Sequence, residues 1–208
     1  SQDAQNDWSK QMQYIETGVK GGAAAVICLP VEADGTQSLI DAVGEKNLVF
    51  VNRPPTNYSE LAADNVTYVG SNEDTSGYYQ GEYLANYFKQ KGQKEVKYLM
   101  IQGTLGQVST TKRSEGVIKA LKDNGINPVE ASAPVVADYD RPTAQEMIQP
   151  LLTSGKEFDC IIANNDAMAL GAIEACKDAG VEINFPIVGI DCTADGAKAV
   201  QDGDMAMT

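Results

Sequence analysis

The chain predicts an α/β fold with parallel sheets, divided into two similar lobes. Two observations carry this. Short apolar runs alternate with helical runs along all 208 residues, which is the pattern of parallel α/β sheets. The alternation also runs once before about residue 102 and again after it, so the lobes are expected at 1–102 and 103–208.

The elements follow in order. Trp8, Met12, Ile15 and Val19 recur at helical spacing and predict a helix over 4–20. Gly21 and Gly22 stop it. Residues 23–29 are a short apolar strand closed by Pro30, 35–43 a helix, and 48–51 a second strand. Asn52-Arg53-Pro54-Pro55 follows, where the double proline forbids helix and sets an extended loop. Residues 66–69 form a strand. Residues 73–90 form a long helix whose Tyr78, Tyr79, Tyr83, Tyr87 and Phe88 read as packing residues. In the second half, strands are expected at 96–101, 129–136, 158–163 and 186–190. Helices are expected at 110–124, 143–152, 167–179 and 194–202, and the last residues, 205–208, are strand-like.

Composition removes several functional classes. The formal net charge is −13 and both halves are acidic, so neither offers the basic field that nucleic acid or an anionic membrane surface requires. Histidine is absent, which removes the commonest general base and the commonest metal ligand. No nucleophile motif is visible, and the chain reads as a binding protein, not an enzyme, with no cofactor. The four cysteines, Cys28, Cys160, Cys176 and Cys192, lack C-x-x-C spacing and read as free thiols. No run approaches the roughly 20 apolar residues of a membrane helix.

The chemistry collects where strands end. Asn164-Asn165-Asp166 sits between an apolar strand and a helix. Asn52-Arg53, Gln107 with Ser109 and Arg113, Tyr139-Asp140, and Asp191 occupy the ends of other strands. In a parallel sheet these ends lie along the edge where ligands bind. Amides, carboxylates and a guanidinium together supply the donors and acceptors that a polyol needs. Each residue taken singly is also explained as a turn or a helix cap; Asn165 or Asp166 could cap the helix that follows. A nucleotide site is the rival reading, because Gly103-Thr104-Leu105-Gly106 follows a strand. Neither a dinucleotide fingerprint nor a P-loop occurs, however, and a glycine turn accounts for that stretch.

These residues carry a resemblance. Residues 5–11, Phe50-Val51-Asn52-Arg53-Pro54, Asn164-Asn165-Asp166-Ala167-Met168-Ala169 and Val188-Gly189-Ile190-Asp191 look like the type I periplasmic sugar-binding proteins. That family includes the galactose/glucose- and ribose-binding proteins of ABC transporters, and the resemblance covers the whole chain. It implies two Rossmann-like lobes joined by a hinge, with a ligand cleft closing on a monosaccharide or cyclic polyol. It also implies an extracytoplasmic location (periplasm or cell surface) and delivery to an ABC transporter permease.

Residue by residue, it implies polar contacts from Asn52 and Arg53 and donation to sugar oxygens by Arg113. It implies ring stacking at or beside Tyr139, hydroxyl contacts from Asn165 and acceptance by Asp191, which would pair with Arg113. Gln107 and Ser109 stand where the galactose type has His and Asp, while the stretches at 52–53 and 138–141 are more like the ribose or inositol type. The acidic calcium loop of some relatives is replaced by Lys91-Gly92-Gln93-Lys94.

The family's first strand would precede residue 1, and a crossover segment would follow Thr208, as in a chain truncated at both ends. That first strand would lie within the first sheet, so its absence is expected to leave the strands at 23–29 and 48–51 with unpaired backbone groups. Two other proteins share the implied fold and stay open at this point: the effector-binding core of a lactose-repressor-type regulator and the sugar-sensing domain of a signalling receptor.

Overall fold

The structure, a computed structural model, describes residues 1–208. It divides into two compact units, Ser1–Ser71 and Asn72–Thr208.

The first unit contains α1 (Trp8–Lys20), β1 (Ala25–Cys28), α2 (Thr36–Val43), β2 (Asn47–Val51), a 3-10 turn (Tyr58–Ala62) and β3 (Val66–Val69). Helix α1 starts four residues later than the spacing predicts. Gln5 and Asn6 have φ of 54° and 57°, outside the right-handed helical region, and Asp7 accepts from the Lys10 amide as the N-cap. The three strands form a parallel sheet in the order β1-β2-β3. One sheet face packs on α1 and α2 through Ile15, Cys28, Leu39, Val43, Leu48, Phe50 and Val66. The other face is open, with Ile27 75% and Val69 62% exposed.

The expected gap between the first two strands does not exist. β1 pairs directly with β2 in unbroken parallel register, from Ala25 opposite Asn47 to Cys28 opposite Phe50. Strands joined by one crossover helix are commonly neighbours, and here α2 is that crossover.

The second unit contains α3 (Glu73–Gln90), β4 (Glu95–Gln102), α4 (Val108–Asp123), β5 (Asn127–Glu130), β6 (Val135–Val136), α5 (Arg141–Leu152), β7 (Cys160–Ala163), α6 (Asp166–Asp178), β8 (Ile187–Val188) and α7 (Ala194–Asp202). Its parallel sheet runs β5-β4-β7-β8, with β6 also on β4. The strand expected over 129–136 is two strands. β5 pairs with the start of β4 and β6 with its end, and the intervening 131–134, closed by Pro134, bends out of register.

Alternation along β4 and β7 serves two cores. Leu99, Ile101, Ile161 and Ala163 belong to the core with Ile148, Met168 and Ala172 of α5 and α6. Val96, Tyr98, Met100, Cys160 and Ile162 belong to the core with Leu84, Phe88, Val117 and Leu121 of α3 and α4. This arrangement moves the boundary expected at 102/103 back to 71/72. β4 is bonded on both sides by β5, β6 and β7, and α3 packs on α4, so neither can belong to the first unit.

Helices α3 and α4 touch through their backbones. A Cβ on Gly77 would fall 2.1 Å from the Arg113 carbonyl oxygen, and one on Gly81 2.4 Å from that of Val117. Only glycine permits that approach. No helix is long and apolar enough to cross a membrane.

Candidate functional site

In the second unit the C-terminal ends of β4, β6, β7 and β8 bring most of the predicted residues together. Arg113 stands at the centre, on the second turn of α4. Its side chain is buried, with Nε 2.7 Å from Glu73 Oε2 and Nη2 3.2 Å from Oε1. Nη1 donates to the Asn164 carbonyl at 2.8 Å and lies 3.7 Å from Asp191 Oδ1.

The sequence reading paired Arg113 with Asp191, but its close partner is Glu73. The reason is the glycine contact between α3 and α4: Glu73 lies one turn before Gly77, on the stripe that faces Arg113. Burial pushes the Arg113 pKa down, but hydrogen bonding and attraction from Glu73, with Asp191 behind it, prevail and hold it above its ordinary value. The Asp191 carboxyl is raised, first by burial and then by Asp166 and Glu73, against the lowering pull of Arg113.

Asn164-Asn165-Asp166 splits into three roles. Asn164 is fully buried. Its Oδ1 accepts from the Gly103 amide at 3.1 Å and its Nδ2 donates to Ser114 Oγ at 3.2 Å, which locks the end of β7 to the end of β4 and to α4. Asn165 caps α6, its Oδ1 accepting from the Met168 amide at 3.0 Å, while its Nδ2 has no bond within the protein. Asp166 is fully buried. It accepts from the Thr193 amide at 2.8 Å, from Thr193 Oγ1 at 3.0 Å and from the Thr208 hydroxyl, anchoring the loop that carries Asp191.

Tyr139 follows β6 with φ of 63°, next to Asp138 at 52°. Such consecutive left-handed residues are strained, and strain of this kind collects at functional sites. The Tyr139 hydroxyl bonds Ser109 Oγ at 2.7 Å and Thr110 Oγ1 at 2.8 Å. Asp140 is the cap of α5, accepting from the Thr143 amide and hydroxyl, and these bonds hold its pKa below the usual carboxylate range. Gln107 is the half-buried residue just before α4 and makes no side-chain cap.

Asn52 and Arg53 belong to the first unit. Asn52, at φ 63°, is exposed just after β2, and its carbonyl accepts from Tyr68. Arg53 donates to the Pro30 and Val31 carbonyls, so its guanidinium ties the end of β2 to the loop after β1.

Sequence reasoning missed Glu73, Thr110, Ser114 and Gln80. Gln80 Nε2 bonds the carbonyls of Ala163 and Gly189, each at 2.9 Å, so α3 fixes the ends of β7 and β8. Its Oε1 is buried with no partner, a cost of roughly 1–3 kcal/mol. The one usable signal for Glu73 was its helical register with Gly77 and Gly81, which means something only once α4 is known to lie there.

Within the second unit the site therefore presents unused guanidinium N–H groups, a carboxylate, a free amide donor and an aromatic ring along one sheet edge. That inventory suits hydrogen bonding to hydroxyls. It contains no nucleophile paired with a general base.

The family described as "periplasmic binding protein domain" matches residues 1–208. The chain is 32% identical over 207 residues to a putative rhizopine-binding protein of Rhizobium meliloti, covering 98% of this chain and 65% of that protein. It is 31% identical over 211 residues to the ribose import binding protein of Escherichia coli, covering 99% and 66%. Among solved structures it resembles an ABC transporter solute binding protein from Bacillus halodurans with bound myo-inositol. That likeness has a TM-score of 0.84 and 29% identity, over 98% of this chain and 68% of that one. The chain thus spans about two thirds of the length of the curated relatives it matches.

Proposed function

This chain belongs to the periplasmic binding protein domain family, and on that premise we propose that the protein is an extracytoplasmic receptor for a monosaccharide or cyclic polyol, delivering it to an ABC transporter permease. The observation that carries the proposal is the Arg113–Asp191 juxtaposition. The buried guanidinium keeps one N–H of Nη1 unused, and that nitrogen lies 3.7 Å from a half-exposed Asp191 oxygen, a donor and an acceptor side by side, as a vicinal diol requires. The free Asn165 amide and the Tyr139 ring extend the same edge.

The relatives agree with this chemistry: two are named for binding rhizopine and ribose, and a third holds myo-inositol. Isothermal calorimetry and thermal shift on the complete protein with a panel of pentoses, hexoses, inositols, nucleotides and amino acids test the reading. Binding of at least one, lost in Arg113→Ala and Asp191→Ala, is the expected result. Stabilisation by nucleotides or amino acids alone would overturn it.

A further inference from the structure

Arg113 spends most of its hydrogen-bonding capacity inside the protein. A guanidinium carries five N–H groups; here Nε and Nη2 bond the two Glu73 oxygens and Nη1 bonds the Asn164 carbonyl. One hydrogen on each terminal nitrogen remains. The two side chains are each 8% exposed, so Glu73 compensates the cation where water cannot. Asp191, 41% exposed, then leaves the three groups with a surplus negative charge. The helix contact favours this arrangement, because the close approach of Gly77 to the Arg113 carbonyl brings the start of α3, and Glu73 with it, alongside the guanidinium.

We propose that Glu73 makes this site select uncharged polyols over anionic sugars. An uncompensated buried arginine is a fork for carboxylate or phosphate. With Glu73 on its Nε–Nη2 edge, Arg113 keeps its orientation and its two remaining donors but offers no net charge to an incoming anion. Glu73 is a positioning residue, acting on the ligand through Arg113. The inference rests on the polyol reading of the same site and adds the rule by which that site rejects sugar acids and sugar phosphates.

The test uses the complete protein, its Glu73→Gln and Glu73→Asp variants, and paired ligands: glucose against glucuronate, ribose against ribose 5-phosphate, and myo-inositol against its monophosphate. Calorimetry gives the ratio of neutral to anionic affinity within each pair. Wild type should bind one neutral member and reject its anionic partner by about tenfold or more, because the anion meets the surplus negative charge and like-charge juxtaposition suppresses wrong partners. Glu73→Gln should shift that ratio toward the anion by about tenfold, and Glu73→Asp should restore it.

A purely structural role for Glu73 would weaken both members alike, so an unchanged ratio in Glu73→Gln overturns the inference while leaving the polyol reading intact. Wild type that binds the anionic member as tightly as the neutral one overturns it without any variant. Wild type that binds neither class overturns the polyol reading and this inference with it.

Discussion

The ring of Tyr139 lies directly against Gly103: a Cβ added at Gly103 would fall 2.0 Å from Tyr139 Cζ. Gly103 also donates its amide to Asn164. The residue just after β4 is thus shaped by the aromatic on one side and the buried amide on the other.

Gly103→Ala should therefore displace the ring and break its bonds to Ser109 and Thr110. The expected cost is about 1–3 kcal/mol, as for overpacking in a filled interior, read from urea midpoints at unchanged slope. Tyr139→Phe is the control. It keeps the ring and loses the hydroxyl bonds, so it should cost only about 1 kcal/mol. Equal stability of Gly103→Ala and wild type would show that the ring is not confined there.

Arg113→Ala should do more than weaken a ligand. It strands the Glu73 carboxylate in a buried setting, at a cost of about 3–5 kcal/mol. Asp191→Ala should cost far less, because Asp191 is half-exposed and sits 3.7 Å from Arg113. Denaturation of both variants without ligand ranks the two partners; a larger loss for Asp191→Ala would contradict the Glu73 pairing.

The raised Asp191 pKa gives a pH signature. A carboxyl that is harder to ionise when folded favours the folded state while protonated, and that contribution is lost as pH rises through the folded pKa. Ionised Asp191 therefore opposes folding at neutral pH, where Asp166 and Glu73 add repulsion. Asp191→Asn should melt higher than wild type at pH 7, and the difference should shrink as pH falls into the carboxylate range. Thermal melts without ligand across that range check the sign; a variant that melts lower at pH 7 would refute it.

The cysteines should separate by reactivity. All four are free, Cys192 is exposed, and Cys28, Cys160 and Cys176 are buried. Burial pushes the thiols of Cys28 and Cys176 up to about 11 and raises that of Cys160 as well, which leaves little thiolate to react. A thiol reagent on the native protein should modify one residue quickly and the other three only on unfolding. Fewer than four thiols in the denatured, unreduced chain would show a disulfide.

The identity and order of most elements were determined by the sequence alone, because each depends on local patterning; the break of 129–136 into β5 and β6 and the 3-10 turn Tyr58–Ala62 were not. Apolar runs made strands such as 160–163, the spacing of Trp8, Met12, Ile15 and Val19 made α1, and glycines marked the ends. The polar residues at strand ends were legible for the same reason, since a parallel sheet sends all such ends to one edge. Tertiary structure alone decided which of them pair.

Nothing local links Glu73 to Arg113, 40 positions apart, because their contact depends on two helices meeting at Gly77. Nothing local separates Asn164, buried as a clamp between strands, from Asn165, which caps a helix and keeps one amide free. The boundary at 71/72 and the direct pairing of β1 with β2 were hidden for a related reason. Strand order is set by which hydrophobic faces and backbone ladders can be satisfied together, a condition on the whole fold that no single segment records.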